Sequence, residues 1–247
     1  MKTSNPALSA RTFANVGPID SDQVMTIQGT VNKTALMLLF VFLSSAWTWN
    51  IYIKSGNLAQ IIPMMLVGAI GGFIIALVTI FKKQWAGFTA PVYAVLEGLF
   101  LGGISAIFNA KYPGIIIQAV GLTFGTLFCL LAAYKSGVIR VTARFKLGVV
   151  AATGGIAVFY LISIILSLFG VRIPIIFGNG IFGILFSVFV VIIAALNLVL
   201  DFDLIEQGAE RGAPKFMEWY GAFALMVTLI WLYLEILRLL TKLQSRR

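Results

Sequence analysis

Seven apolar runs long enough to cross a bilayer follow one another along the chain. Five contain no charged residue, at 34–53, 55–81, 112–134, 147–171 and 173–200. The run 84–110 is interrupted only by Glu97, and the run 219–237 only by Glu235. About 20 apolar residues suffice for a helix to span the hydrocarbon. β-Barrel strands would be short and strictly alternating, so long continuous runs predict an all-α, polytopic membrane protein. The short linkers predict one bundle of seven transmembrane helices. Pro91 is predicted in the first turn of the third helix, where a missing N–H costs nothing. Trp47, Trp49, Tyr52, Trp85, Trp219 and Tyr220 lie near run ends, as interfacial anchors do. Gly68/Gly72, Gly98/Gly102 and Gly121/Gly125 each place two small residues on one helix face and read as packing sites.

Composition agrees. Of 247 residues, 60% are hydrophobic and 11% charged, and the mean hydropathy is +1.00. A soluble domain is about 25% charged, so a soluble, disordered or nucleic-acid-binding chain is excluded. The lipid bilayer is the expected partner. The formal charge of +9 is spread between the runs, where it speaks to topology. With the N-terminus in the cytoplasm, eleven basic residues fall in inner segments and three, Lys54, Lys111 and Arg172, in outer loops. That asymmetry fixes the orientation. Arg238, Lys242, Arg246 and Arg247 then lie outside, against the rule. The reading is a polar cytoplasmic tail at 1–33, a transmembrane domain at 34–243 and a basic tail at 244–247. The N-terminal segment carries no cleavage pattern, so the first span is expected to act as an uncleaved targeting signal.

The chain has one cysteine and no histidine. Histidine-based metal sites, Ser-His-Asp triads and Cys-His dyads are thereby excluded. Gly-x-Gly-Asp, the mark of intramembrane aspartyl proteases, is absent. No enzyme activity and no bound cofactor are expected.

The informative residues are acids in apolar surroundings. A charge near the bilayer centre costs about 2.5–3.5 kcal/mol on insertion scales, so such groups face the bundle interior or a wet cavity. Glu97 lies six residues past Pro91, with no basic residue within a turn. It reads either as a functional acid or as a neutral one bonded to a neighbouring helix. Asp201 and Asp203 are expected to end the sixth span. Two residues correspond to about 200° on a helix, so they face different ways. Asn197 shares a face with Asp201, which makes a polar stripe leading inward. The plain alternative is that the two acids mark where the helix leaves the membrane. Glu235 has Arg238 three residues on, close enough for a local ion pair, or it points inward toward the sixth span.

At these residues the chain resembles the Bax inhibitor-1, or transmembrane Bax-inhibitor-motif, family, in a bacterial form. The resemblance runs from about Lys33 onward. It rests on Glu97-Gly98-Leu99-Phe100-Leu101-Gly102, Asp201-Phe202-Asp203-Leu204-Ile205-Glu206 and Trp231-Leu232-Tyr233-Leu234-Glu235, in that order and spacing. It implies six helices around a central seventh, residence in the bacterial cytoplasmic membrane, and a pH-sensitive calcium leak. In that scheme two acids on the last two helices share a proton and gate the pore, and they map onto Asp201 and Glu235. The second run has no basic residue, so a latch from that helix to the sixth is not available.

Such a pair has a simple chemistry. Low dielectric and a neighbouring carboxylate both favour the neutral form of a carboxyl, and the two titrate as a unit. Proton loss leaves like charges that repel or recruit a cation. Calcium, a hard ion that takes several oxygens, is the expected transported ion, held transiently by Asp201 and Glu235. Glu97, Asp203 and Asn197 are expected along the route. The other readings are a non-transporting regulator of stress responses or membrane-protein quality control, with membrane-protein partners, and a proton-coupled transporter.

Overall fold

Backbone polar groups in hydrocarbon must be satisfied within the segment, and each apolar run accordingly closes into one helix. The computed structural model describes residues 23–170, 178 and 180–246. The expected polar tail, as far as residue 22, and the charges of Arg172 and Arg247 lie outside the described residues. The helices are α1 (Ile27–Ser55), α2 (Leu58–Phe81), α3 (Ala86–Lys111), α4 (Ile115–Lys135), α5 (Ala143–Leu168), α6 (Ile181–Glu210) and α7 (Met217–Gln244). All seven are long and apolar enough to cross a membrane. The protein is an all-α, multi-pass bundle.

Several helix ends differ from the apolar runs. The first helix starts at Ile27, inside the expected tail, because Thr26 caps it by accepting from the Gly29 N–H. A 3-10 turn at Lys83–Trp85 precedes α3, so Pro91 lies inside that helix rather than in its first turn. The sixth helix does not end at Asp201 and Asp203 but continues to Glu210. Both acids are therefore helical residues on an interface. The last helix carries Arg238 and Lys242 within it and ends at Gln244.

Glycines decide how closely the first three helices approach. A Cβ at Gly98 would lie 2.6 Å from the Val41 carbonyl oxygen, and one at Gly102 would collide with the backbone of Ser45. One at Gly68 would lie 2.5 Å from the Leu96 carbonyl oxygen. These contacts join α1 and α2 to α3 backbone to backbone, the close approach that small residues permit in lipid. Gly121 and Gly125 are different: among the described residues nothing lies within 4 Å of a Cβ added at either, so that pair makes no such close approach there.

The last helix is the centre. It packs against α1, α3, α4 and α6 and contributes Ala222, Met226, Leu229, Leu232, Ile236 and Leu237 to the core. Its N-terminal end is tied to the start of α1. Met25 N–H donates to the Ala213 carbonyl (2.7 Å), and Lys215 N–H to that of Gln23 (2.8 Å). Below this short antiparallel contact, Glu218 is fully buried. It accepts from the N–H and hydroxyl of Thr26, both at 2.9 Å, and pairs with Lys33 and with Lys215 (3.4 Å). The starts of α1 and α7 therefore share one side of the bundle, here the near side.

Candidate functional site

The last two helices run antiparallel with a regular register. On α7, Thr228, Glu235 and Lys242 recur every seven residues, which keeps them on one stripe. All three are buried. At one end Thr228 stands beside Asp201 of α6. At the other, the Lys242 ammonium donates to the Gly183 carbonyl and the Ser187 hydroxyl of α6, both at 2.9 Å. Fourteen residues separate the two stations on each helix, about 21 Å at 1.5 Å per residue. A polar seam thus runs between two otherwise apolar helices.

Asp201 is the near-side station. The residue is half-buried, but its Oδ2 is enclosed and has no hydrogen-bond partner among the described residues. No ion pair involves it among those residues either. Asp203, two positions on, turns toward α5: Lys146 Nζ reaches its Oδ2 at 3.1 Å and Gln207 donates to the same oxygen at 2.6 Å. Tyr134 of α4 donates to Glu206 one turn further. The two aspartates do face different ways, and Asp201 is the one on the α7 side.

Glu235 is the middle station and is paired. Arg238 Nη1 reaches its two oxygens at 2.9 and 3.0 Å, and the Tyr160 hydroxyl of α5 donates to Oε1 at 3.0 Å. The guanidinium also donates to the Tyr160 hydroxyl and lies over its ring, 5.1 Å from the centroid. By register Glu235 stands opposite Ala194, seven residues and about 10.5 Å along the axis from Asp201. The two acids therefore do not share a proton in this structure, and they do not converge on one metal ion. The reason is the heptad: the position facing Asp201 is occupied by Thr228, one repeat before Glu235. Among the described residues no group of three or more acidic or thiol side chains could hold a metal.

The other expected route residues fall elsewhere. Asn197 donates to the Thr153 hydroxyl of α5 and to the Ile193 carbonyl, both at 2.8 Å. Glu97 lies against Gly72 of α2, where an added Cβ would be 2.8 Å from Oε1, with Tyr93 one turn before it. It belongs to the α2–α3 contact rather than to the seam. Tyr160, Thr228, Ser187, Lys242 and Glu218 escaped the sequence reading. The seven-residue recurrence of polar residues on the last run was a usable signal for Thr228 and Lys242. Nothing in the sequence marks Tyr160.

A second opening is chemically unlike the seam. A cavity of about 720 Å³ lies between α1 and α4, floored by α3 and α7. Leu39, Phe42, Val120 and Phe124 are among its walls, and no charged residue lines it. Its polar floor is closed by a 2.7 Å hydrogen bond between Ser105 and Tyr233. It offers an ion nothing.

A central last helix and acids on the final two helices are what the sequence resemblance implied. The sequence model of the family described as Bax inhibitor 1 like matches residues 5–245, nearly the whole chain. The chain belongs to that family. A search of curated proteins finds no match. In this Bax inhibitor 1 like protein, the seam along the central helix brings together the buried Ser187, Thr228, Glu235 and Lys242.

Proposed function

We propose that this protein is a proton-sensitive cation leak whose controlling group is Asp201. The observation that carries the reading is the enclosed, unpartnered Oδ2 at the α6–α7 interface. A buried carboxylate without a counter-ion is costly. It avoids that cost by taking a proton or by taking a cation, and the two compete for the same oxygens. Thr228 supplies a further oxygen beside it, and backbone carbonyls and water would supply the rest of a calcium shell. On the near side Glu206, in no ion pair among the described residues, adds negative potential at the entrance. The sign follows: lowering the pH fills Asp201 with protons and reduces cation flux, and raising it does the reverse.

Glu235 is no partner in this scheme. Its charge is balanced by Arg238, so it holds the seam together instead. The expected setting is the bacterial cytoplasmic membrane with the near side inside, which the basic residues of the loops favour.

Calcium flux into proteoliposomes at several pH values tests this. Asp201→Asn should lower flux about tenfold and flatten its pH dependence, because the fixed negative charge is gone. Unchanged flux with unchanged pH dependence overturns the assignment. No flux from the parent protein, together with a co-purifying membrane-protein partner, favours a regulator. Saturable exchange favours a coupled transporter.

A further inference from the structure

We infer that Lys242 is the far-side barrier of this route: a fixed positive charge inside the seam that holds cation flux down. The inference rests on the Asp201 reading and extends it to the other end of the same interface.

Lys242 is an unusual lysine. It is 4% exposed although it lies two residues from the end of α7. A lysine so placed could extend its ammonium past the helix end into water or headgroups. It turns inward and crosses to α6 instead, onto Gly183 and Ser187 at 2.9 Å. Both partners are neutral. Among the described residues no carboxylate lies within 4.0 Å of it, whereas Lys33, Lys146 and Lys215 each sit on an acid. Burying an ammonium on dipoles alone is expensive, and apolar residues of similar volume commonly do as well or better. Its cost points to a role beyond packing.

That role follows from the order of charges along the seam. Asp201, when ionised, is negative, with no ion pair among the described residues. Seven residues further on, Glu235 and Arg238 cancel. After another seven comes Lys242, positive and with no ion pair among the described residues. A cation leaving Asp201 for the far side meets first a neutral station and then a like charge in low dielectric. Fixed positive groups in pores exclude cations in this way. The far-side half therefore resists cations while the near-side half attracts them, and leakage is slow even when Asp201 is ionised.

Charge and anchoring are separable by substitution. Lys242→Gln keeps a donor for Gly183 and Ser187 and removes the charge. Lys242→Arg keeps the charge. Ser187→Asp leaves the lysine in place and cancels it. Calcium flux into proteoliposomes should rise about tenfold for Lys242→Gln and for Ser187→Asp, and stay within about twofold for Lys242→Arg. Adding Asp201→Asn to Lys242→Gln should return flux to the low level. If Lys242→Gln and Ser187→Asp both leave flux at the parent level while Asp201→Asn still lowers it, the barrier is overturned and the Asp201 reading stands. If Asp201→Asn has no effect in either background, that reading falls and the barrier with it.

Discussion

Asp201 and Glu235 are both carboxylates on one helix interface, about 10.5 Å apart along it, yet their surroundings differ in kind. Glu235 has a guanidinium on both oxygens and a tyrosine hydroxyl besides. Asp201 has a threonine beside it and one oxygen with no partner among the described residues. Residue type and interface are nearly the same, with Asp201 on α6 and Glu235 on α7. What separates them is the nearest cation, and that is set by register. Arg238 is one turn from Glu235 on its own helix. The near end of α7 offers Asp201 no equivalent. The paired acid ties helices together, and the unpaired one is the group to which we assign proton and ion exchange. Glu218, fully buried with Lys33, Lys215 and Thr26 around it, falls with Glu235.

The contrast can be broken most sharply at Arg238. Arg238→Ala strips Glu235 of its cation and should cost about 3 kcal/mol, the low end for breaking a buried pair because the guanidinium is itself 40% exposed. Thermal unfolding in detergent would register it, and adding Glu235→Gln should restore most of the loss. Tyr160→Phe removes one donor from the same station and should cost about 1 kcal/mol. Lys146→Ala addresses the neighbouring Asp203. With the lysine 48% exposed, the expected cost is only about 0.5 kcal/mol. Asp201→Asn completes the series. It removes a charge with no partner, so unfolding should be unchanged or shifted up by about 1 kcal/mol while flux falls. A large loss of stability there would mean that Asp201 is held by a partner after all, and the contrast would disappear.

The seven spans are legible in the sequence because lipid leaves a long apolar run no alternative to a helix. Helix ends are less legible. Polarity does not stop a helix; missing caps and chain reversals do. Charged residues after Leu200 therefore hide ten more residues of α6, and Thr26 starts α1 well before the apolar run. The acids announce themselves by composition. The sequence places Arg238 beside Glu235 because three residues on one helix fix their separation. It cannot place Thr228 rather than Glu235 opposite Asp201, because that depends on how α6 and α7 slide past each other. Gly121 and Gly125 illustrate the same limit. Their spacing matches that of Gly98 and Gly102, yet among the described residues nothing lies within 4 Å of a Cβ added at either.

The close approach of α3 to α1 and α2 has a mechanical consequence. Helices touching through main chain at Gly68, Gly98 and Gly102 have little room between them at those points, so turning or sliding one against another soon meets rigid backbone atoms. Those three form a stator. In the proposed leak, the displacement that admits an ion would be taken up by the rods on the other flank, where α5, α6 and α7 are linked through long side chains such as Lys146, Tyr160, Arg238 and Lys242 that can swing and let go.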